Sequence, residues 1–253
     1  MKITRYVRYS FEGKTSYGIL EIETVHELRG DLFAGPESTG KAFDLSSVKL
    51  IAPCEPSKIL AVGRNYKSHI ADRNLEPAKE PGIFWKPPSS VIGTEDSIVI
   101  PEGANNVHYE AELVVVIGRH GRNIPQSEAP KYIFGITAGN DVSERDWQKN
   151  DLQWFRAKGS DTFGALGPCI AQGLNYNDLL VESRLNGETR QSQRTSDLIF
   201  PVDQIVSYVS RYVTVLPGDI IYTGTPGNTR AMARSDVIEI EVEGVGVLRN
   251  RVA

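Results

Sequence analysis

Glu110-Ala111-Glu112-Leu113-Val114-Val115-Val116-Ile117-Gly118 contains the strongest apolar run in the chain, entered through two carboxylates. In an extended strand side chains alternate faces, so Glu110 and Glu112 point the same way, about 7 Å apart along the strand, and His108 shares their face. After Glu112 the alternation stops and five apolar residues follow in sequence. Such a run reads as a strand covered on both faces, with its carboxylates at the end, in a cleft. Two carboxylates converging beside a buried strand need a counter-charge, and a divalent cation held by oxygen ligands supplies one. Spacing alone leaves a second reading open, an ordinary charged strand end. Glu21-Ile22-Glu23 and Glu239-Ile240-Glu241-Val242-Glu243 repeat it, but there every intervening residue is apolar. Those two stretches read as strands with one wet face.

Outward from this strand, residues 2 to 23 alternate charged and apolar positions on both sides of Phe11-Glu12-Gly13-Lys14, a hairpin pattern, and a polar Gly/Pro/Ser stretch follows from 30 to 40. Residues 1–50 are therefore expected to form a small β-rich appendage. The prolines of Ile51-Ala52-Pro53-Cys54-Glu55-Pro56-Ser57 mark an extended joint, after which Lys58 to Val62 begins a strand and a main domain over 51–253. Val202, Ile205, Val206, Val209 and Val213 recur at helical spacing behind Pro201, which predicts a packing helix over Asp203 to Val213. Pro217-Gly218-Asp219 turns the chain into the strand Ile220-Ile221-Tyr222, and Val237 to Val252 reads as a final hairpin about Gly244 and Gly246.

With 253 residues and 40% hydrophobic content the chain can bury a sizeable core, while 23 Gly and 14 Pro point to many turns between short strands. A net charge of -4 with no block of more than two basic residues argues against nucleic-acid binding. Cys54 and Cys169 lack any metal-ligand spacing and read as core thiols rather than a disulfide framework. No stretch has the pattern of a signal peptide or the length of a membrane span, so a cytoplasmic protein without membrane contacts is expected.

Chemistry-bearing residues gather at strand ends. Gly63-Arg64-Asn65-Tyr66-Lys67-Ser68-His69 follows the strand at 58 to 62. If residues 66 to 73 are helical, His69 and Asp72 share a face at i and i+3, an arrangement that fixes a histidine tautomer and makes it a base. A surface histidine with a chance acidic neighbour gives the same spacing. Asp141, after the apolar strand Tyr132 to Ala138, precedes a helix expected to be capped by Ser143; it is either a turn residue or a third carboxylate beside Glu110 and Glu112. Three carboxylates without thiol or imidazole suit Mg²⁺ or Mn²⁺. Arg145 and Asp146 read as an ion pair. Lys158, between Ala157 and Gly159, is either a snorkelling surface lysine or a group able to stabilise an oxyanion. Tyr222-Thr223-Gly224-Thr225-Pro226-Gly227-Asn228 is a strand leading into a tight loop whose N–H groups and hydroxyls could grip a carboxylate. It is neither a Walker loop nor a dinucleotide fingerprint, and a serine-hydrolase elbow is missing.

Taken together, Gly-Arg-Asn-Tyr-x-x-His, His-Tyr-Glu-x-Glu-Leu, Gly-Asn-Asp-Val-Ser-x-Arg-Asp, Arg-x-Lys-x-x-Asp-Thr, Asn-Gly and Pro-Gly-Asp-x-Ile-x-Thr-Gly-Thr-Pro are similar to motifs of the fumarylacetoacetate hydrolase family, in order from about Lys58 to the C-terminus. The resemblance implies an α+β, mostly β fold, a mixed β-sandwich roll with the small N-terminal appendage, and a homodimer. It implies Mg²⁺ or Mn²⁺ at Glu110, Glu112 and Asp141; Ca²⁺ could take the same place in a crystal. It further implies His69 as base, Lys158 as oxyanion partner, and Arg64, Gln153, Tyr222 and Thr225 around a small-molecule 2-oxo acid.

The family hydrolyses C–C bonds, decarboxylates, or isomerises enols. C–C hydrolysis or decarboxylation of a dicarboxylate or acylpyruvate through a metal-chelated enolate is the first expectation. Isomerisation or tautomerisation of 2-hydroxy-dienedioates or oxaloacetate is the alternative, and a catalytically idle metal-carboxylate binding dimer is a third reading. Asp72 stands where the most similar hydrolases and decarboxylases carry a glutamate. It is one methylene shorter, and a misplacement of about 1 Å can cost about 10²-fold in rate.

Overall fold

The structure, a computed structural model, describes residues 2–68 and 78–253. Strands dominate it, with few and short helices, in a large mixed sheet and a five-stranded sheet packed against it. This is the α+β, mostly β sandwich that the sequence predicts. In the large sheet the order of strands ends at Glu37–Asp44 on one edge and Gly82–Lys86 on the other, so it remains open among the described residues.

Near its middle, Ala111–Ile117 lies between Ile133–Asp141 and Ile220–Tyr222, antiparallel to both. All of Ala111–Ile117 is buried, with no residue above 1% exposure. Alternation sends Leu113, Val115 and Ile117 into the core under the five-stranded sheet, and Val114 and Val116 into a second core on the opposite face with Ile59, Ala61, Ile220 and Tyr222. An unbroken apolar run is what a strand between two cores requires. Each large side chain so buried contributes about 1.5–3 kcal/mol relative to exposure. Glu110 and Glu112 share the parity of Val114 and Val116, so they leave the strand toward the second core.

The five-stranded sheet runs Glu188–Arg194, Leu180–Leu185, Val237–Val242, Gly246–Val252 and Ser97–Ile98. It packs on Ala111–Ile117, Ile133–Asp141 and Gly164–Gln172, with Ile238, Ile240, Val242 and Leu248 facing the shared core. The helix Val202–Tyr212 buries Val202, Ile205, Val206 and Val209, as its periodicity predicts. No helix among the described residues is long and apolar enough to cross a membrane.

Thr4–Phe11 and Lys14–Glu21 form the expected hairpin, but the chain continues through Thr24–Arg29 into a fourth strand, Glu37–Asp44, which begins inside the polar stretch from 30 to 40. That strand is mostly exposed, so no buried face imposes an alternation that the sequence could display. Thr4 to Tyr6 pair with Ile170 to Gln172, which makes these four strands an extension of the large sheet.

Candidate active site

Three carboxylates meet where the central strands begin and end. Glu110 and Glu112 enter Ala111–Ile117, and Asp141 closes its neighbour Ile133–Asp141, the two joined by the Asp141 N–H donating to the Glu110 carbonyl at 3.0 Å. One oxygen from each carboxylate lies within 4.8 Å of the others. All three residues are buried, Glu112 and Asp141 to 1% exposure.

Cationic side chains hold two of the three. Lys158, on the short helix Phe155–Gly159, donates from Nζ to Glu110 Oε2 and to Asp141 Oδ2, each at 2.6 Å. Lys86, at the end of Gly82–Lys86, donates to Asp141 Oδ1 at 2.6 Å and to the Lys158 carbonyl, so it fixes both the ligand strand and the lysine helix. Arg145 places Nη2 2.6 Å from Glu110 Oε1. Its fork also donates to Gln148 Oε1 at 2.9 Å and to Thr229 Oγ1 at 2.8 Å.

The electrostatics separate the carboxylates. Burial pushes the Glu110 carboxyl up, but Arg145 and Lys158 outweigh it and hold it below the usual carboxylate range. Burial, with Asp141 and Glu110 close by, pushes the Glu112 carboxyl well above its ordinary value. Glu112 accepts the Gly224 N–H at 2.7 Å but has no cationic side chain against it among the described residues. Burial opposes the Lys158 charge, yet Asp141 and Glu110 raise its ammonium above the ordinary value, whereas burial dominates at Lys86 and lowers it. An all-oxygen donor set with one carboxylate still lacking a counter-charge fits a hard divalent cation.

The loops beside the cluster are locked by buried polar groups. Asn65 accepts the Phe200 N–H at 2.8 Å and donates Nδ2 to the carbonyls of Thr223 at 2.8 Å and Phe200 at 3.1 Å. It therefore clamps the loop after Ile59–Gly63 to the loop after Ile220–Tyr222. Gly224 has φ +106 and lies against Asn65, where a Cβ would approach Asn65 Cβ to 2.7 Å; only glycine turns its N–H toward Glu112 there.

A cleft of about 460 Å³ opens above the carboxylates. Its apolar wall is Val62, Gly63, Phe84 and Trp154, and its polar wall is Arg64, Asn106, His108, Arg145, Gln148 and Lys149. Glu110, Glu112, Asp141, Lys158 and Thr225 complete the lining. The structure thus brings together Glu110, Glu112, Asp141, Lys158, Arg64 and Thr225 of the residues singled out in the sequence. His69 and Asp72 lie outside the described residues.

Other expectations are corrected. Gln153 is exposed and borders a neighbouring depression, while Gln148, one helical turn after Arg145, reaches the cleft. Tyr222 is fully buried and donates its hydroxyl to the Ala165 carbonyl at 3.0 Å, away from the cleft lining. Arg145 turns to Glu110 rather than Asp146, which instead accepts from Asn106 Nδ2 at 3.1 Å. Ser143 pairs in a two-residue strand and donates to the Asp141 carbonyl; Glu144 caps the following helix through the Trp147 N–H. The hydroxyls of Thr223 and Thr225 donate to the carbonyls of Leu113 and Ala111, so the loop grips the neighbouring strand Ala111–Ile117. Lys86 was not singled out at all, because Trp85-Lys86-Pro87-Pro88 reads as a strand meeting a turn. Its one signal is a lysine at the end of an apolar stretch that no second charge accompanies.

Three carboxylates, two of them bound by two buried lysines and an arginine, at the floor of a mixed-sheet cleft, define a site for small oxygen-rich ligands. Residues 58–253 match the fumarylacetoacetate (FAA) hydrolase C-terminal family, and residues 4–53 match an N-terminal family described as Rv2993c-like. The chain belongs to the fumarylacetoacetate hydrolase family and is an enzyme of it. It is 38% identical over 220 residues to the mitochondrial oxaloacetate tautomerase FAHD2A of Bos taurus, covering 82% of this chain and 70% of that one. It superposes with TM-score 0.93 on 5-carboxymethyl-2-hydroxymuconate delta-isomerase from Mycobacterium smegmatis, at 39% identity and over 98% of this chain and 99% of the other. The likeness to 2-hydroxyhepta-2,4-diene-1,7-dioate isomerase from Mycobacterium marinum has the same TM-score, at 38% identity over 99% and 98%.

Proposed function

We propose that this enzyme isomerises 2-oxo acids, moving a proton between carbon and the C2 oxygen of a dicarboxylate such as oxaloacetate or a 2-hydroxy-dienedioate. The observation that carries this reading is the placement of Lys158 and Arg145 against the carboxylate cluster at the cleft floor. A Mg²⁺ or Mn²⁺ ion held by Glu110, Glu112 and Asp141 would act as a Lewis acid toward the oxygens of the substrate. Lys158 and Arg145 supply fixed positive charge where the C2 oxygen becomes negative. Phe84 and Trp154, 5.2 Å apart edge to face, wall the cleft beside Lys158. Arg64 and Lys149 line the same cleft with no acidic partner among the described residues, which suits a second carboxylate on the ligand. His69 is assigned the proton transfer, with Asp72 as its partner. Similarity to a tautomerase and two isomerases puts isomerisation ahead of C–C hydrolysis or decarboxylation. The working unit is assigned as a cytoplasmic homodimer in which residues 1–50 are an appendage to a catalytic unit at 51–253.

The test is an ultraviolet and product assay of oxaloacetate, acylpyruvates and 2-hydroxy-dienedioates with Mg²⁺ or Mn²⁺, comparing wild type with His69→Ala and Glu112→Gln. Metal-dependent enol–keto conversion that both variants lose is expected. Release of pyruvate or CO₂ at a comparable rate would replace isomerisation by hydrolysis or decarboxylation, and no metal-dependent turnover of any compound would remove the 2-oxo acid reading.

A further inference from the structure

Thr225 lines the cleft above the carboxylates, and the proton of its hydroxyl is committed to the protein. Its hydroxyl donates to the Ala111 carbonyl at 2.9 Å and accepts from Gln191 Nε2 at 2.8 Å. Gln191 reaches the site from the strand Glu188–Arg194 of the five-stranded sheet and is 3% exposed. Its amide has a single possible orientation. Oε1 accepts the Ala111 N–H at 3.1 Å and the Ser183 hydroxyl at 3.0 Å, while Nε2 also donates to the Pro226 carbonyl at 2.5 Å. Turning the amide over would set donor against donor at Ala111 and acceptor against acceptor at Pro226. The Gln191 N–H therefore always points at the Thr225 oxygen, the Thr225 proton is sent to Ala111, and one lone pair remains.

A keto 2-oxo acid with ionised carboxylates carries no O–H or N–H group. Its enol tautomer carries one. We propose that Gln191 is a positioning residue that fixes the polarity of Thr225, so that the cleft recognises the hydroxyl proton of the enol and distinguishes it from the keto form. This inference rests on the 2-oxo acid reading above and specifies which tautomer the site is shaped to hold. It also gives the Thr-Gly-Thr-Pro loop a role other than gripping a carboxylate, since a carboxylate would meet a lone pair.

Two unreactive probes separate the cases, malate, which carries a hydroxyl on C2, and 2-methoxysuccinate, which has lost that proton. Both are titrated calorimetrically into the Mg²⁺-loaded protein. Wild type is expected to prefer malate, and Thr225→Val to reduce the malate to 2-methoxysuccinate affinity ratio about tenfold, the size of one lost hydrogen bond. Thr225→Ser keeps the hydroxyl and restores the ratio, while Gln191→Met releases the anchor and lowers it partway. Thr225→Val is nearly isosteric with wild type, so the steric effect of the extra methyl cancels in that comparison. A ratio unchanged in Thr225→Val overturns the proposal, as does a wild-type protein without preference, a result that needs no variant to fold. If folded wild type binds neither probe when loaded with Mg²⁺, the 2-oxo acid reading fails and takes this inference with it.

Discussion

The backbone N–H of Gly224 donates to Oε2 of Glu112 across 2.7 Å, joining the loop after Ile220–Tyr222 to the carboxylate that has no cationic partner among the described residues. The bond depends on a backbone conformation, φ +106, that a side chain rarely adopts, and on close contact with Asn65. Gly224→Ala is expected to cost about 1–3 kcal/mol of stability from backbone strain alone. Because the loop must shift to admit the methyl group, divalent-metal affinity should fall as well, by about tenfold. Urea denaturation and a Mn²⁺ titration measure the two effects separately, and wild-type values in both would show that the loop has room to adjust.

The raised carboxyl of Glu112 makes the metal-free protein sensitive to pH in a defined direction. Burial near Asp141 and Glu110 keeps its proton in the folded state at pH values where the unfolded chain has lost it. That contribution is complete below the unfolded value of about 4.3 and is lost as pH rises through the raised folded value. Metal-free wild type should therefore lose stability relative to Glu112→Gln as pH rises above the unfolded value toward the raised folded one. The gain from added Mg²⁺ should grow over the same range, because binding releases the proton. Denaturation at several pH values, with and without Mg²⁺, tests this; a Glu112→Gln curve parallel to wild type would contradict it.

Lys86 is buried to 1% exposure and ties Asp141 to the carbonyl of Lys158. Lys86→Met retains most of the volume but leaves a buried carboxylate with one cation fewer, and removal of one partner from a buried pair costs about 3–5 kcal/mol. A divalent cation would restore part of the lost positive charge, so the variant should be stabilised by Mn²⁺ more than wild type is. Paired thermal melts give the comparison, and equal Mn²⁺ shifts in the two proteins would refute it.

The sequence displays the central strand because burial on both faces removes the alternation from Leu113 to Ile117. It displays the helix Val202–Tyr212 because one face is buried. The carboxylates were legible for the same reason, as charges placed against an apolar run. What could not be read is long-range and polar. Arg145 has an acid beside it in sequence, Asp146, but the one it binds, Glu110, comes from another strand. Gln148 and Gln153 differ only in which side of a short helix and its following loop they occupy. Tyr222 ends a strand at the site, yet strand parity turns its ring into the second core. Thr225 was singled out, but the direction of its proton depends on Gln191, 34 residues away on another sheet.

The two kinds of Glu-x-Glu in this chain should respond very unequally to the same substitution. Glu110 is 7% exposed and bound by Arg145 and Lys158, which hold its carboxyl below the usual range against the effect of burial. Glu110→Gln leaves both cations facing a neutral amide in a buried site, at a cost of about 3 kcal/mol or more, and removes a metal ligand. Glu241 repeats the spacing but pairs with Arg184 at 2.7 Å with its side chain 40% exposed. Such a pair is screened by water, and Glu241→Gln should change stability by less than about 0.5 kcal/mol with metal-dependent turnover intact. The depressed Glu110 carboxyl adds stability above the unfolded value of about 4.3 that is lost as pH falls through the folded one, so the gap between the variants should narrow in acid. Denaturation of both variants at neutral and acidic pH, with one turnover assay each, decides the matter. Equal losses would mean that burial of the central strand does not set its carboxylates apart.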